Sequence, residues 1–426
     1  MNLNVPESRF PTVVIVGGGF AGLHVAAELV KKEFRVIMID RNNYHTFQPL
    51  LYQVATAGLE PDSVAYPLRR GFQTSINFFF RMAEVIQVLP ENRRLVTSRG
   101  ELGYDYLVLA TGSTTNFFGN ANLEKYAYPM KSIPEALNLR SLILQQFEKA
   151  TLTRSNVQKD ALMNFMIVGA GPTGVELAGA LAELKRNALP VDYPDLDVEK
   201  MQISLVEAGP RVLGAMSEKS SVDAREYLEK LGVNVLLNTT VNDYDGEMLV
   251  LGDGKKVASK TVIWTAGVKG AAIDGTAEAL NTRSNRIKTD LVNRVLGMDR
   301  VFAIGDVAEM VSDEFPRGYP MVAQVAIQQG KNLGKNLIRI NDGLEPVPFK
   351  YNDKGSMATI GKNKAVVDLP KMHFSGRFAW FIWMFVHLLA LVGFRNKAVT
   401  FFNWVYNYLR YDKGIRLIIR PVEDKV

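Results

Sequence analysis

The sequence predicts an α/β chain: two dinucleotide-binding domains built on parallel sheets, followed by an amphipathic helical tail. Two glycine-rich runs predict the domains. Val13-Val14-Ile15-Val16-Gly17-Gly18-Gly19-Phe20-Ala21-Gly22 and Met166-Ile167-Val168-Gly169-Ala170-Gly171-Pro172-Thr173-Gly174 both read G-x-G-x-x-G after an apolar, strand-like segment. Each opens a helical pattern and leads to a second apolar strand ending in an acid, Asp40 in one case and Glu207 in the other. In such a Rossmann-like unit the first glycine makes a tight turn and the second lets backbone approach a pyrophosphate. The third lets helix pack on strand. The helix N-terminus offers N–H groups and the positive end of its dipole to the phosphates, and the acid takes ribose hydroxyls. One fingerprint is a weak signal, but two in full strand–turn–helix–strand–acid context imply two dinucleotides.

The third observation is the tail. Residues 362–426 carry eleven Lys/Arg against four acids, whereas the rest of the chain carries 39 against 40, so the whole net charge of +6 resides there. Phe378 to Phe394 is nearly unbroken apolar sequence between Arg377 and Arg395, short for a membrane span of ~20 residues. From Lys397 to Arg410 the polar residues Thr400, Asn403, Asn407 and Arg410 fall on one helical stripe. Val399, Phe402, Val405, Tyr406 and Leu409 lie opposite, flanked by Phe401, Trp404 and Tyr408. Basic residues and aromatics on an amphipathic helix fit a helix lying in a membrane interface. Core packing, a homodimer interface and a true span are the alternatives.

Between these landmarks the chain reads as follows. Tyr44 to Tyr66 is irregular or short-helical rather than sheet. Val85 falls in a strand, and Tyr106 to Leu109 is a buried strand stopping at Ala110-Thr111-Gly112. Residues 130–160 are helical, with a polar link at Thr153 to Asn156. Arg186 to Lys200, with two prolines, is an inserted loop. Strand-to-turn patterns recur at Val262-Ile263-Trp264-Thr265-Ala266-Gly267 and at Val301-Phe302-Ala303-Ile304-Gly305-Asp306. A strand-terminal acid such as Asp306 can reach a ribityl hydroxyl of a flavin lying across the sheet edge.

Composition excludes several classes. With 426 residues, 47% of them hydrophobic, the chain can form two or three cored domains. It has no cysteine, so disulfides, thiolate metal sites and redox-active cysteine pairs are ruled out. Four dispersed histidines make a dedicated metal site unexpected. No apolar signal segment precedes the first strand, so export is not expected. A basic patch calls for an anionic partner, and interleaved apolar faces suit lipid better than nucleic acid.

These residues together resemble the two-dinucleotide-binding-domain flavoproteins, and within them the type II NADH:quinone oxidoreductases. The resemblance spans essentially the whole chain. It rests on both fingerprints, on Ala110-Thr111-Gly112, Trp264-Thr265-Ala266-Gly267 and Ile304-Gly305-Asp306, and on Ala323-Gln324-Val325-Ala326-Ile327-Gln328-Gln329-Gly330, which is similar to the family's quinone-site sequence. Gly393-Phe394-Arg395-Asn396-Lys397 resembles the membrane-anchoring tail. The loop at 186–200 is the main departure, and it puts the rim of the nicotinamide site in question.

The resemblance implies FAD at the first fingerprint and NADH at the second. Residues 1–160 and 286–345 would form a discontinuous FAD domain, 161–285 the NADH domain and 346–426 the anchoring region. FAD would be held by Gly17, Gly19, Phe20, Ala21, Gly22, Asp40, Arg41, Val85, Thr111, Gly112, Asp306, Ala323, Gln324 and Lys397. NADH would be held by Gly169, Gly171, Pro172, Thr173, Gly174, Glu176, Glu207, Ala266 and Gly267. Glu207 would repel a 2′-phosphate and favour NADH, with Arg211 nearby to soften that preference. Glu176, placed in the first turn of the second fingerprint helix, would organise the nicotinamide or relay a proton. Gln324 would bridge flavin and quinone, because an amide donates and accepts at once, and Gln328 would share its helix face one turn on. The implied activity is that of a peripheral, non-proton-pumping NADH:quinone oxidoreductase on the cytoplasmic or matrix face of an energy-transducing membrane. The alternative is a soluble FAD-dependent NADH reductase of a small electron-carrier protein, which would not need the tail.

Overall fold

The computed structural model describes residues 3–276, 279–281, 283–410, 416–418 and 422. The chain forms two compact units, one made of residues 1–45, 66–114 and 268–353, the other of 46–65, 115–267 and 354–426.

The first unit centres on a five-stranded parallel sheet in the order Val301–Ala303, Tyr106–Leu109, Thr12–Val16, Arg35–Asp40, Phe78–Met82. Its strands are continuous apolar runs because both faces are covered. Alternate residues take opposite sides: Val13, Ile15, Val36 and Met38 pack with the helices Phe20–Leu29 and Ala323–Asn341. Val14, Val16, Ile37 and Ile39 pack on Val88, Leu95 and Leu102 of a small antiparallel sheet.

The second unit repeats the plan. Its parallel sheet runs Tyr128–Pro129, Thr261–Trp264, Asn164–Val168, Gln202–Val206, Asn234–Leu236. The helix Ile133–Leu152 starts at a capping box, where Ser132 Oγ accepts from Glu135 N and the Glu135 carboxylate accepts from Ser132 N. A three-stranded antiparallel sheet, Ser356–Thr359, Ala365–Leu369 and Met372–Ser375, leads into two tail helices, Gly376–Ala390 and Phe394–Arg410.

Two local expectations change. Tyr44 to Tyr66 is short-helical as expected, but Tyr44–Thr46 and Ala65–Pro67 at its ends are extended and paired. The stretch 186–200 is not wholly loop: Leu189–Asp192 forms one helical turn with Pro190 in its first turn, where a missing N–H costs nothing. Val198–Lys200 forms a 3₁₀ turn.

The tail departs most from a span. Its apolar run breaks at Leu391 to Gly393, where Gly393 takes φ +85°. Among the described residues no helix is long and apolar enough to cross a membrane. The final helix then presents its polar stripe to the body rather than to water. Asn396 Nδ2 donates to Ala65 O (2.7 Å), Asn403 Nδ2 to Glu60 Oε2 (2.5 Å) and Asn407 Nδ2 to Gly58 O (3.1 Å), while Thr400 is fully buried. Phe402 and Leu409 on the opposite face are 68% and 75% exposed. The sequence past Arg410, part of the expected anchoring region, lies largely outside the described residues.

Asn396→Leu should therefore cost about 1–3 kcal/mol, because it removes the donor that buried Asn396 supplies to the part-buried Ala65 carbonyl. Hydrogen exchange should show the loss first in the final helix, and uniform loss of protection would contradict this docking.

Candidate functional site

In the first unit the glycines form a tight cradle. Gly17 lies at φ +108°, where a Cβ would stand 2.3 Å from Ala110 O. A Cβ on Gly22 would stand 2.0 Å from Gly17 O, whereas Gly19 has no heavy atom within 4 Å of that position. Gly19 caps the helix Phe20–Leu29 without a side-chain bond, which leaves its first N–H groups to a ligand. Asp40 Oδ2 accepts from Gly18 N and Oδ1 from Asn42 N, each at 2.7 Å. Burial pushes the Asp40 pKa up, and those two bonds oppose the shift.

Sequence reasoning missed His45. Its Nδ1–H donates to Gly18 O (3.1 Å), its ring lies edge-on to Phe20 at 4.8 Å, and its Nε2 is buried with no partner. Burial lowers its pKa to about 4, so the ring is neutral. A buried polar atom beside an uncapped helix N-terminus is what a bound ligand satisfies.

The other expected residues of this unit fall in four groups. Thr111 Oγ1 donates to Ala271 O (2.6 Å), and Gly112 takes φ +72°. Asp306 follows Gly305, also at φ +72°, and a Cβ there would lie 3.3 Å from Ala21 Cβ, so this turn adjoins the fingerprint helix. Two unexpected residues hold it: Ser113 Oγ donates to Asp306 Oδ2 (2.5 Å), and buried Gln329 Oε1 accepts from Gly305 N (2.7 Å). Only their long-range partners reveal those roles. Arg41 points outward and pairs with Glu84 at 3.7 Å, and Val85 opens the strand Val85–Leu89. Ala323 and Gln324 begin the helix Ala323–Asn341, with Gln324 half-buried. Gln328 lies one turn on, but its amide is tied to the backbone of Asn352, donating to O at 2.9 Å and accepting from N at 3.0 Å.

The second unit holds an equivalent cradle. Gly169 takes φ +102°, and its Cβ would stand 2.5 Å from Ala266 Cα. A Cβ on Gly174 would stand 1.9 Å from Gly169 O, and Gly171 is open. Gly171 caps the helix Pro172–Asn187 without a side-chain bond, with Pro172 at the first position and Thr173 exposed. Glu207 Oε2 accepts from Ala170 N (2.7 Å) and Oε1 from Gly209 N (2.8 Å). Arg211 donates to Gly214 O in its own loop (2.9 Å).

Glu176 is not in the first turn of its helix, which has no acid there. It is the fifth residue, a turn deeper, and only 6% exposed. There the dipole offers little and burial dominates, raising its pKa to about 8. Oε1 accepts from Thr359 N at 3.3 Å, while the Trp383 indole N–H faces the carboxyl without a well-formed bond. Glu176 lines a cavity of about 120 Å³ shared with Tyr52, Gln53, Thr359, Lys362 and Trp383. Tyr52 Oη and Thr359 Oγ1 are 2.9 Å apart, Gln53 Nε2 donates to Tyr52 Oη (3.0 Å), and Trp404 Nε1 donates to Gln53 Oε1 (2.8 Å). A wholly apolar groove of about 310 Å³ between the tail helices shares Trp380, Met384, Trp404 and Tyr408 with this cavity. A protonated carboxyl thus lies at one end of a cleft whose other end suits a hydrocarbon chain. Lys397 Nζ donates to Leu389 O (2.7 Å), closing the preceding helix.

Residues 11–330 match the pyridine nucleotide-disulphide oxidoreductase family, and residues 354–410 match the NDH2 C-terminal domain. The type II NADH:quinone oxidoreductase Ndh of Mycobacterium tuberculosis is 34% identical over 421 residues, covering 94% of this chain and 89% of the relative. That of Haemophilus influenzae is 29% identical, covering 87% and 91%. In fold, the chain is similar to NDH2 from Plasmodium falciparum in complex with NADH, with a TM-score of 0.88 at 23% identity, covering 97% of this chain and all of that one.

The raised pKa of Glu176 has a definite sign in stability. Between 4.5 and about 8 the folded chain holds a proton that the unfolded chain has lost, so stability falls as pH rises through that window. Glu176→Gln keeps the acceptor for Thr359 N and removes the slope. The variant should match the parent near pH 4.5 and exceed it above pH 8, by at most about 5 kcal/mol. Denaturation between pH 4.5 and 9 measures this, and parallel curves would mean that Glu176 is ionised in the fold.

Proposed function

The chain belongs to the type II NADH:quinone oxidoreductases, and on that basis we propose that it oxidises NADH and reduces a membrane quinone while bound to the membrane surface, without pumping protons. The tail carries this reading. Two dinucleotides alone do not require a helix that turns its asparagines to the body and Phe401, Phe402 and Tyr406 outward. Such a face suits insertion among acyl chains, with the +7 charge of residues 362–426 attracting anionic headgroups. Proton pumping would need ionisable groups across the bilayer, and no described helix is suited to crossing one.

FAD and NADH fit the residues present. The open positions at Gly19 and Gly171, the uncapped helix N-termini, the acids bonded to the loops and the orphaned Nε2 of His45 match two dinucleotides. We assign FAD to the first cradle, with Asp306 toward its ribityl chain, and NADH to the second. On this assignment the FAD domain is split around the nicotinamide domain. When bound, FAD accepts a hydride from NADH and returns two electrons to quinone.

The chain's own residues supply binding, orientation and protons. Glu207 grips the adenosine ribose and repels a 2′-phosphate. Gln324 offers an amide to the quinone oxygen. Gln328, anchored to Asn352, supports that turn of helix. Glu176 holds a proton at neutral pH, which quinone reduction consumes, and the cleft between the tail helices accommodates the apolar chain.

Anaerobic reduction of the flavin by NADH, followed by mixing with quinone, tests the assignment. In Gln324→Leu, reduction should be nearly intact and reoxidation slower by one to two decades, as for ~1–3 kcal/mol of lost hydrogen bonding in the transition state. Equal damage to both steps would remove Gln324 from the quinone site.

The membrane reading is tested on the bare face. Phe402→Asp with Leu409→Asp should abolish flotation with anionic vesicles and lower turnover of long-chain quinone. NADH oxidation by a water-soluble acceptor should stay unchanged. Undiminished flotation would overturn the reading.

A further inference from the structure

Phe118, in the second unit, combines a strained backbone with an exposed ring. Its φ is +53°, a left-handed conformation that crowds the Cβ of most residues and that glycine or asparagine adopts more readily. The ring is 67% exposed. Core packing does not account for it, because the adjacent Phe117 already fills the hydrophobic cluster against Trp264, at 5.9 Å between rings.

The segment is nonetheless held firmly. Phe118 N donates to Asn116 Oδ1 (2.9 Å), Asn116 N to Gly267 O (3.0 Å), and Trp264 Nε1 to Asn116 O (2.8 Å). These bonds fix the turn to the carboxyl end of the strand Thr261–Trp264. The Phe118 ring stands edge-on to Trp264 at 6.4 Å and covers Gly267, where a Cβ would come within 3.0 Å of Cζ.

That position adjoins the phosphate cradle. Thr261–Trp264 flanks Asn164–Val168 on one side, and Gln202–Val206, which leads to Glu207, flanks it on the other. Gly169 touches the backbone of Ala266, one residue before the glycine beneath the ring. In an open parallel sheet the ligand lies outside the carboxyl ends, across the point where strand order reverses. With the adenosine on the Glu207 side, the Phe118 side faces the nicotinamide half.

We propose that Phe118 is the aromatic wall against which the nicotinamide half of NADH packs, and that Gly267 is glycine to leave room for the ring. The inference rests on the assignment of NADH to the second cradle. It adds a nucleotide-binding residue on the nicotinamide side, one that sequence pattern alone does not single out.

Phe118→Gly separates a binding role from a structural one. Glycine accepts a positive φ freely, so the melting temperature should hold or rise. KM for NADH should rise about three- to tenfold, the range that loss of one aromatic contact produces, and kcat should change less than about twofold. Competitive inhibition by ADP-ribose, which lacks the nicotinamide, should be unaltered, and Phe118→Tyr should restore KM. An unchanged KM, an equal loss for ADP-ribose, or a lowered melting temperature that Phe118→Tyr does not repair would each overturn the proposal. Gly171→Asp tests the underlying assignment separately. An acid in the open cradle should abolish binding of NADH and ADP-ribose alike, and if both still bind, the cradle assignment fails whatever Phe118 does.

Discussion

Each fingerprint helix lies so close to its glycine loop that a β-carbon has no place between them: it would stand 2.0 Å from a carbonyl oxygen at Gly22 and 1.9 Å at Gly174. That approach aims the helix N-terminus at the loop and lets a carboxylate on the next strand accept a loop N–H, Gly18 for Asp40 and Ala170 for Glu207. The acid is thereby positioned before any ligand arrives. Binding then meets oriented donors and acceptors rather than groups that must be ordered at that moment. In the first unit the Gly305–Asp306 turn, held by Gln329 and Ser113, adjoins the same helix.

The second constraint is electrostatic. Glu176 is buried with one long bond from Thr359 N, too little to offset the loss of water, so the neutral acid is favoured. Tyr52, Gln53 and Trp404 form a bonded chain on the same cavity wall. A polar lining therefore extends from the tail helix inward to the carboxyl.

The parts of the fold readable in the sequence are those whose cause is local. Both strand–loop–helix–strand units, with their acids, follow from runs of fewer than fifty residues, because the turn, the helix start and the acid each follow from neighbours. The depth of Glu176 does not: it depends on Thr359 and Trp383, about two hundred residues away. The amide of Gln328 invites a ligand on paper but is satisfied by Asn352 across a turn that no periodicity reveals. Amphipathicity showed that the last helix has two faces without showing which turns inward. Its asparagines find carbonyls and Glu60 in the segment 58–65, while Trp404 on the same side packs on Trp383, so hydrogen bonds and ring contact together mark the inward face.

Under the membrane attachment proposed above, that orientation would govern how the molecule moves. A protein attached by one bare helical face, with the opposite face bonded to its body, cannot tumble while it stays on the bilayer, and its rotation is confined to spinning about the membrane normal. For a chain so attached, encounter with a lipid-soluble acceptor would become a two-dimensional search by partners that already share a plane. The soluble nucleotide still arrives from three dimensions. On that proposal the two substrates would reach the protein by different kinds of diffusion, and crowding of the membrane would slow only one of them.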